Sequence, residues 1–161
     1  MLEICPFNPS RTIGVRDLIV PIQRDEFSID ITYEDQTDLH DIAGFYRKGC
    51  GEFWVALDGD NVVGSIALVD IGNNQCALRK MFVAKAFRGK PHQSAHHLLQ
   101  TLITHARDKH VATIFLGTTS AFLAAHRFYE KAGFDLLDEA DLPQSFPRLT
   151  VDTRFYQMDL K

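Results

Sequence analysis

Residues 62–69, Val-Val-Gly-Ser-Ile-Ala-Leu-Val, hold no charged side chain and no polar alternation. A strand of this kind has no face to give to water. It belongs in the middle of a sheet whose two faces are both covered by helices. Its neighbours fit that frame. Phe53–Leu57 is strand-like and stops at Asp58-Gly59, a hairpin signal. A third apolar run, Cys76–Ala84, follows the turn residues Gly72-Asn73-Asn74. Three such runs joined by short polar turns predict an antiparallel meander.

The covering helices are also legible. Val15, Leu18, Ile19 and Ile22 follow i, i+3, i+4, i+7, which predicts a helix from about Ser10, capped by Ser10 and kinked or ended by Pro21. Leu39, Ile42, Ala43 and Tyr46 repeat the spacing behind Thr37 and predict a second helix ending at Gly49. Ala95, Leu98, Leu99, Leu102, Ile103 and Ala106 make the strongest stripe, from about Gln93 to Lys109. A short buried strand at Thr113–Leu116, a helix at Ala121–Lys131 closed near Gly133, and strands at Phe134–Leu137 and Val151–Leu160 complete the chain. The strand–helix–strand unit over residues 76–117 predicts one parallel pair. The fold expected is α/β, a mixed, mostly antiparallel twisted sheet of six to seven strands with helices on both faces. With no repeat and no linker, residues 1–161 read as a single domain.

Composition narrows the function classes. Of 161 residues, 45% are hydrophobic and 24% charged, which excludes disorder. Lys and Arg number 17 against 21 Asp and Glu, a net charge of −4, so no nucleic-acid partner is expected. No apolar run nears the roughly 20 residues of a membrane span, and Met1–Pro6 lacks the pattern of a signal peptide. The expectation is a cytoplasmic protein without membrane contact. Cys5, Cys50 and Cys76 form no C-x-x-C pair and read as reduced thiols. His92 and His96 are four apart, but they lack the further ligand a zinc site needs, so no metal is expected.

Chemistry concentrates in residues 81–95. A strand ends, a loop with Arg88, Gly89 and Lys90 follows, and the strongest helix begins. Helix N-termini present unpaired N–H groups and partial positive charge, which suits phosphate. The segment alone reads either as a pyrophosphate cradle or as a plain turn with solvated cations. Neither G-x-G-x-x-G nor G-x-x-x-x-G-K-[ST] is present, so the cradle would serve another phosphate-bearing ligand.

A second stretch decides between these. Ala125-His126-Arg127-Phe128-Tyr129-Glu130-Lys131-Ala132-Gly133-Phe134, together with Arg88-Gly89-Lys90 some 35 residues before it, resembles the GNAT superfamily of acetyl-CoA-dependent N-acetyltransferases. Without a gap, the family's later Gly or Ala positions in the loop fall on Pro91 and Gln93; one or two extra loop residues place Ser94 and Ala95 at the helix start. The resemblance implies a GNAT-like fold and acetyl-CoA as co-substrate. It implies cofactor contacts from the backbone of Met81, Phe82 and Val83, from Arg88, Gly89, Lys90, Gln93, Ser94 and Ala95, and from Phe122 and Ala125. It implies Tyr129 as the acid that protonates the leaving thiolate. The acceptor would be the primary amine of a small molecule or peptide, met by Glu26, Trp54 and Arg79; Trp54 also reads as core. The loop Leu142–Arg148, with Asp152 after it, would border the acceptor pocket. Strand alternation sends Arg79 and Lys80 to opposite faces, one of them suited to a substrate carboxylate. The general base stays open among Glu26, Glu34 and Asp70. A homodimer, as is common in the family, and a non-catalytic acyl-CoA-binding module are the remaining expectations.

Overall fold

The apolar run at 62–69 lies inside the third strand of a seven-stranded sheet. The computed structural model describes residues 2–119 and 122–160. In chain order the elements are β1 (Leu2–Pro6), α1 (Thr12–Pro21), α2 (Ile42–Tyr46), β2 (Glu52–Asp58), β3 (Asn61–Gly72), β4 (Gln75–Val83), α3 (Ser94–Asp108), β5 (Thr113–Thr118), α4 (Leu123–Ala132), β6 (Asp135–Leu137) and β7 (Arg154–Asp159). Strand order across the sheet is β1-β2-β3-β4-β5-β7-β6. Every pair is antiparallel except β4 with β5.

Both faces of β3 are covered, as its composition requires. On one face Leu98, Leu99, Leu102, Ile103 and Ala106 of α3 join Tyr129 of α4 in a core with Ile66 and Leu68. On the other, Val15, Leu18 and Ile19 of α1 and Ile42 and Tyr46 of α2 pack on Phe53, Val55 and Ala67. A third cluster, Ala77, Phe115, Leu142, Phe146 and Phe155, lies under the loop before β7. The β3–β4 hairpin turns on Asn73 and Asn74, both left-handed, as a two-residue primed turn needs.

Several expectations need correction. β1 was not expected; it is a short edge strand that ends at Pro6. Asn8, not Ser10, supplies the first cap, accepting from the Ser10 N–H at 2.9 Å. α1 does end at Pro21, as expected, but a wider turn that was not expected, Ile22–Glu26, follows it and closes with Phe27 N–H on Ile22 O. The helix expected over 37–49 divides into a 3-10 turn, Thr37–His40, and the short α2, because Asp41 leaves helical geometry and caps Gly44 N–H. Ala121, the expected first residue of α4, lies outside the described residues. Cys50 and Cys76, distant in sequence, meet as thiols at the start of β4. Among the described residues no helix is long and apolar enough to cross a membrane.

The correction with most consequence is in β4. Ser65 pairs with Phe82 but Ala67 pairs with Arg79, so one residue of β3 faces two of β4. Lys80 adopts φ +55 in this bulge. Leu78 and Met81 face α3, while Arg79 reaches the Phe45 ring and Lys80 reaches Asp38. The bulge therefore sends Arg79 and Lys80 to the same face, not to opposite ones.

Candidate active site

A parting in the sheet organises the site. β4 and β5 pair only from Gln75 with Thr113 to Ala77 with Phe115. Beyond that point β4 stays with β3 to Val83, and β5 stays with β7 to Thr118. Among the described residues, the edge of β4 that carries Met81, Phe82 and Val83 thus has no strand partner on its β5 side. Unpaired strand edges of this kind accept an extended ligand as an added strand.

The loop after β4 leads to the start of α3. Gly89 is left-handed (φ +66), and a Cβ there would meet nothing within 4 Å. Gln93, φ +49, folds the loop back with its N–H on Gly89 O at 2.7 Å. Ser94, 0% exposed, donates its hydroxyl to Phe87 O at 2.9 Å, which fixes the first helical residue against the loop. No side chain caps this helix, and its first internal bond runs from His97 N–H to Gln93 O. The N–H groups of Ser94, Ala95 and His96 therefore point out of the helix start without an intrahelical partner. Lys90, in the loop that leads to the helix, is exposed. This arrangement fits the pyrophosphate of a coenzyme A.

Arg88 is differently engaged. Its guanidinium binds both carboxylate oxygens of Glu26, the second at 2.9 Å, and its Nε donates to Val83 O at 2.8 Å. Two residues 62 apart in sequence, read separately as phosphate and acceptor groups, thus form one ion pair at the loop. The hydrogen bond from Arg88 holds the Glu26 carboxyl below its usual range, which makes it a weak base.

Tyr129 stands on the α3–α4 face. It is 5% exposed, edge-on to Phe128 and Phe134, with Tyr156 at 6.2 Å. Burial pushes its phenol up, so it keeps its proton through the neutral range. The surrounding motif holds it there. Gly133, φ +106, ends α4 with Phe134 N–H on Tyr129 O and its own N–H on Glu130 O. Glu130 accepts from Tyr156 Oη at 2.6 Å and Arg154 at 3.1 Å, tying α4 to β7. Ala125 packs on the same core. Phe122, just before α4, lies edge-on to Phe27 at 4.6 Å.

The opposite face of the parting carries charge. Lys80 and Asp38, with side chains 6% and 7% exposed, lie 3.6 Å apart. Tyr46 Oη donates to Asp38 at 2.5 Å, and Lys80 Nζ to Gln36 Oε1 at 2.5 Å. Gln36 and Gln23 exchange hydrogen bonds of 2.8 and 3.1 Å. Burial pulls the Lys80 ammonium down to about 8. Arg79, beside it, is only half-buried and forms no ion pair among the described residues. Trp54 is not part of this cluster: 4% exposed, it packs under α3 with its ring 5.0 Å from His105. Gln23, Gln36 and Asp38 left no motif in the sequence, since each stands among other polar residues at a helix end or in the connection between helices. Two surface hollows, of about 540 and 430 Å³, lie at the β1–α3 edge and beside α1, and neither is lined by Arg79 or Tyr129. Among the described residues no group of His, Cys, Asp and Glu is placed to hold a metal ion.

Known proteins give this geometry a context. Residues 16–134 match the profile of the Acetyltransferase (GNAT) family. An N-acetylaspartate synthetase of Danio rerio is 35% identical over 127 residues, 76% of this chain and 44% of that relative. The chain thus spans less than half the length of that relative. The crystal structure of a GNAT-family acetyltransferase from Staphylococcus aureus Mu50 superposes with a TM-score of 0.96 at 38% identity, covering 100% of both chains. An acetyltransferase structure from Streptococcus agalactiae superposes with 0.93 at 32% identity, over 99% of this chain and 98% of that one.

Proposed function

The chain belongs to the GNAT acetyltransferase family, and from that premise we propose that it moves the acetyl group of acetyl-CoA to the primary amine of a small carboxylate-bearing molecule, an amino acid such as aspartate. The observation that carries the substrate class is Arg79, a half-buried cation that forms no ion pair among the described residues, where β4 and β5 part. The name of the Danio rerio relative points the same way.

Acetyl-CoA supplies an acyl carbon activated as a thioester. The chain's own groups do the rest. The N–H groups of Ser94, Ala95 and His96, with Lys90, hold the pyrophosphate, and the free edge of Met81–Val83 aligns the arm. The Arg79 guanidinium holds the substrate carboxylate as a charge-assisted, bidentate pair. The amine enters from the α1–α2 face, and the sulfur departs on the α3–α4 face, where Tyr129 gives it a proton. Fixing the amine against the acyl carbon contributes most of the acceleration.

Acetyl-CoA consumption with a panel of amines tests this reading. Aspartate and other amino acids should turn over, with Tyr129→Phe lowering kcat about 10²-fold. Amines of the same size without a carboxylate should be at least tenfold poorer. Equal rates for both groups would contradict the substrate class.

A further inference from the structure

The amine that attacks must first lose a proton, and the three carboxylates expected for that task are placed elsewhere. Glu26 is paired with Arg88. Asp70 accepts the N–H groups of Gly72 and Cys50, at 2.8 and 3.1 Å, near the closed end of the β4–β5 pair. Glu34 is exposed in the connection between α1 and α2.

A fourth carboxylate sits at the opening. The last β4–β5 pair is Ala77 with Phe115, so two residues further along each strand Arg79 and Gly117 stand on opposite rims. Asp152, in the loop before β7, lies directly over Gly117. A Cβ added there would come within 2.6 Å of Asp152 Oδ2, so the carboxylate rests on the backbone of β5. Gly117 pairs with Phe155, whose ring lies in the cluster beneath the loop, on the face that carries Arg79 and Lys80. Tyr129 is in the core of the other face. The two rims thus hold a cation and a carboxylate on the acceptor side, with a phenol across the sheet.

Resting on the transferase reading above, we infer that Asp152 is the general base, accepting the proton from the acceptor ammonium at the mouth of the parting. The charged groups around it are Arg79 and Lys80 of β4, with Asp38 and the neutral Tyr46 hydroxyl behind Lys80; the Leu149 backbone adds a hydrogen bond. Burial outweighs these cations and pushes the Asp152 carboxyl up to about 6, well placed to accept a proton at neutral pH.

The step balances. The ammonium gives one proton to Asp152, and the neutral nitrogen forms the C–N bond as the C–S bond breaks. The nitrogen loses a second proton through Asp152 to solvent. The departing sulfur takes one from Tyr129, which solvent restores. One proton is released per turnover.

The test is the pH profile of kcat and KM for aspartate in wild type, Asp152→Asn and Asp152→Ala, with coenzyme A binding measured by calorimetry. Wild type should gain kcat/KM through a limb centred near pH 6. Asp152→Asn should lose that limb and about 10²-fold in kcat at pH 6.5, with KM and coenzyme A affinity nearly unchanged. The deficit should shrink above pH 8.5, where free amine forms in solution. Added formate should restore part of the activity of Asp152→Ala. An active wild type whose limb survives in Asp152→Asn overturns the assignment and leaves the transferase reading standing. A wild type that binds coenzyme A but acetylates none of the panel overturns both.

Discussion

The two faces of the parted sheet are built from different materials. On the α3–α4 face the groups proposed to hold the donor are largely backbone: the free edge at Met81–Val83 and the N–H groups at the start of α3. On the α1–α2 face the proposed acceptor side is lined by side chains from distant segments: Asp38, Tyr46, Arg79, Lys80 and Asp152. Backbone geometry depends on a short local stretch, so it leaves a motif. A side-chain cluster assembled across 114 positions, from Asp38 to Asp152, leaves none.

The largest effect is expected at Lys80. Its pair with Asp38 is buried on both sides, so Lys80→Ala leaves a carboxylate with only the Tyr46 hydroxyl. The expected loss is about 3–5 kcal/mol in denaturant unfolding. The pH dependence has a definite sign. The folded-state value lies below the ordinary 10.5, at about 8, so wild-type stability falls as pH drops from about 10.5 to 8 and is flat below. In Lys80→Met that slope should vanish.

Next is Arg79→Met. Loss of a charge-assisted carboxylate contact should cost about 1.5–3 kcal/mol, or roughly 10- to 150-fold in kcat/KM for aspartate. Coenzyme A affinity should not change. The smallest effect is expected at His96, exposed in the first turn of α3. In His96→Asp the new carboxylate should weaken coenzyme A binding about tenfold while raising helix stability by about 0.3–1 kcal/mol. Opposite signs in titration and thermal melting would mark the helix start as an anion site.

Legibility in the sequence follows the same division. The stripe of α3 and the β2–β4 meander were readable because period and turn residues agree locally. So was the α4 motif, whose Gly133 and Glu130 close the helix and tie it to β7. β1 escaped because five edge residues ending in Pro6 carry little pattern. The β4 bulge escaped because a left-handed Lys80 has no sequence signal, and with it went the shared face of Arg79 and Lys80. The ion pair of Arg88 with Glu26 escaped because only the fold brings the two together.

Steady-state kinetics varying both substrates in wild type, Arg79→Met and His96→Asp shows whether donor and acceptor are held on opposite faces by independent groups. A clean exchange is expected: Arg79→Met raises KM for aspartate alone, and His96→Asp raises KM for acetyl-CoA alone. If either folded variant raises both constants together, the two sites are not separate, and the account is wrong.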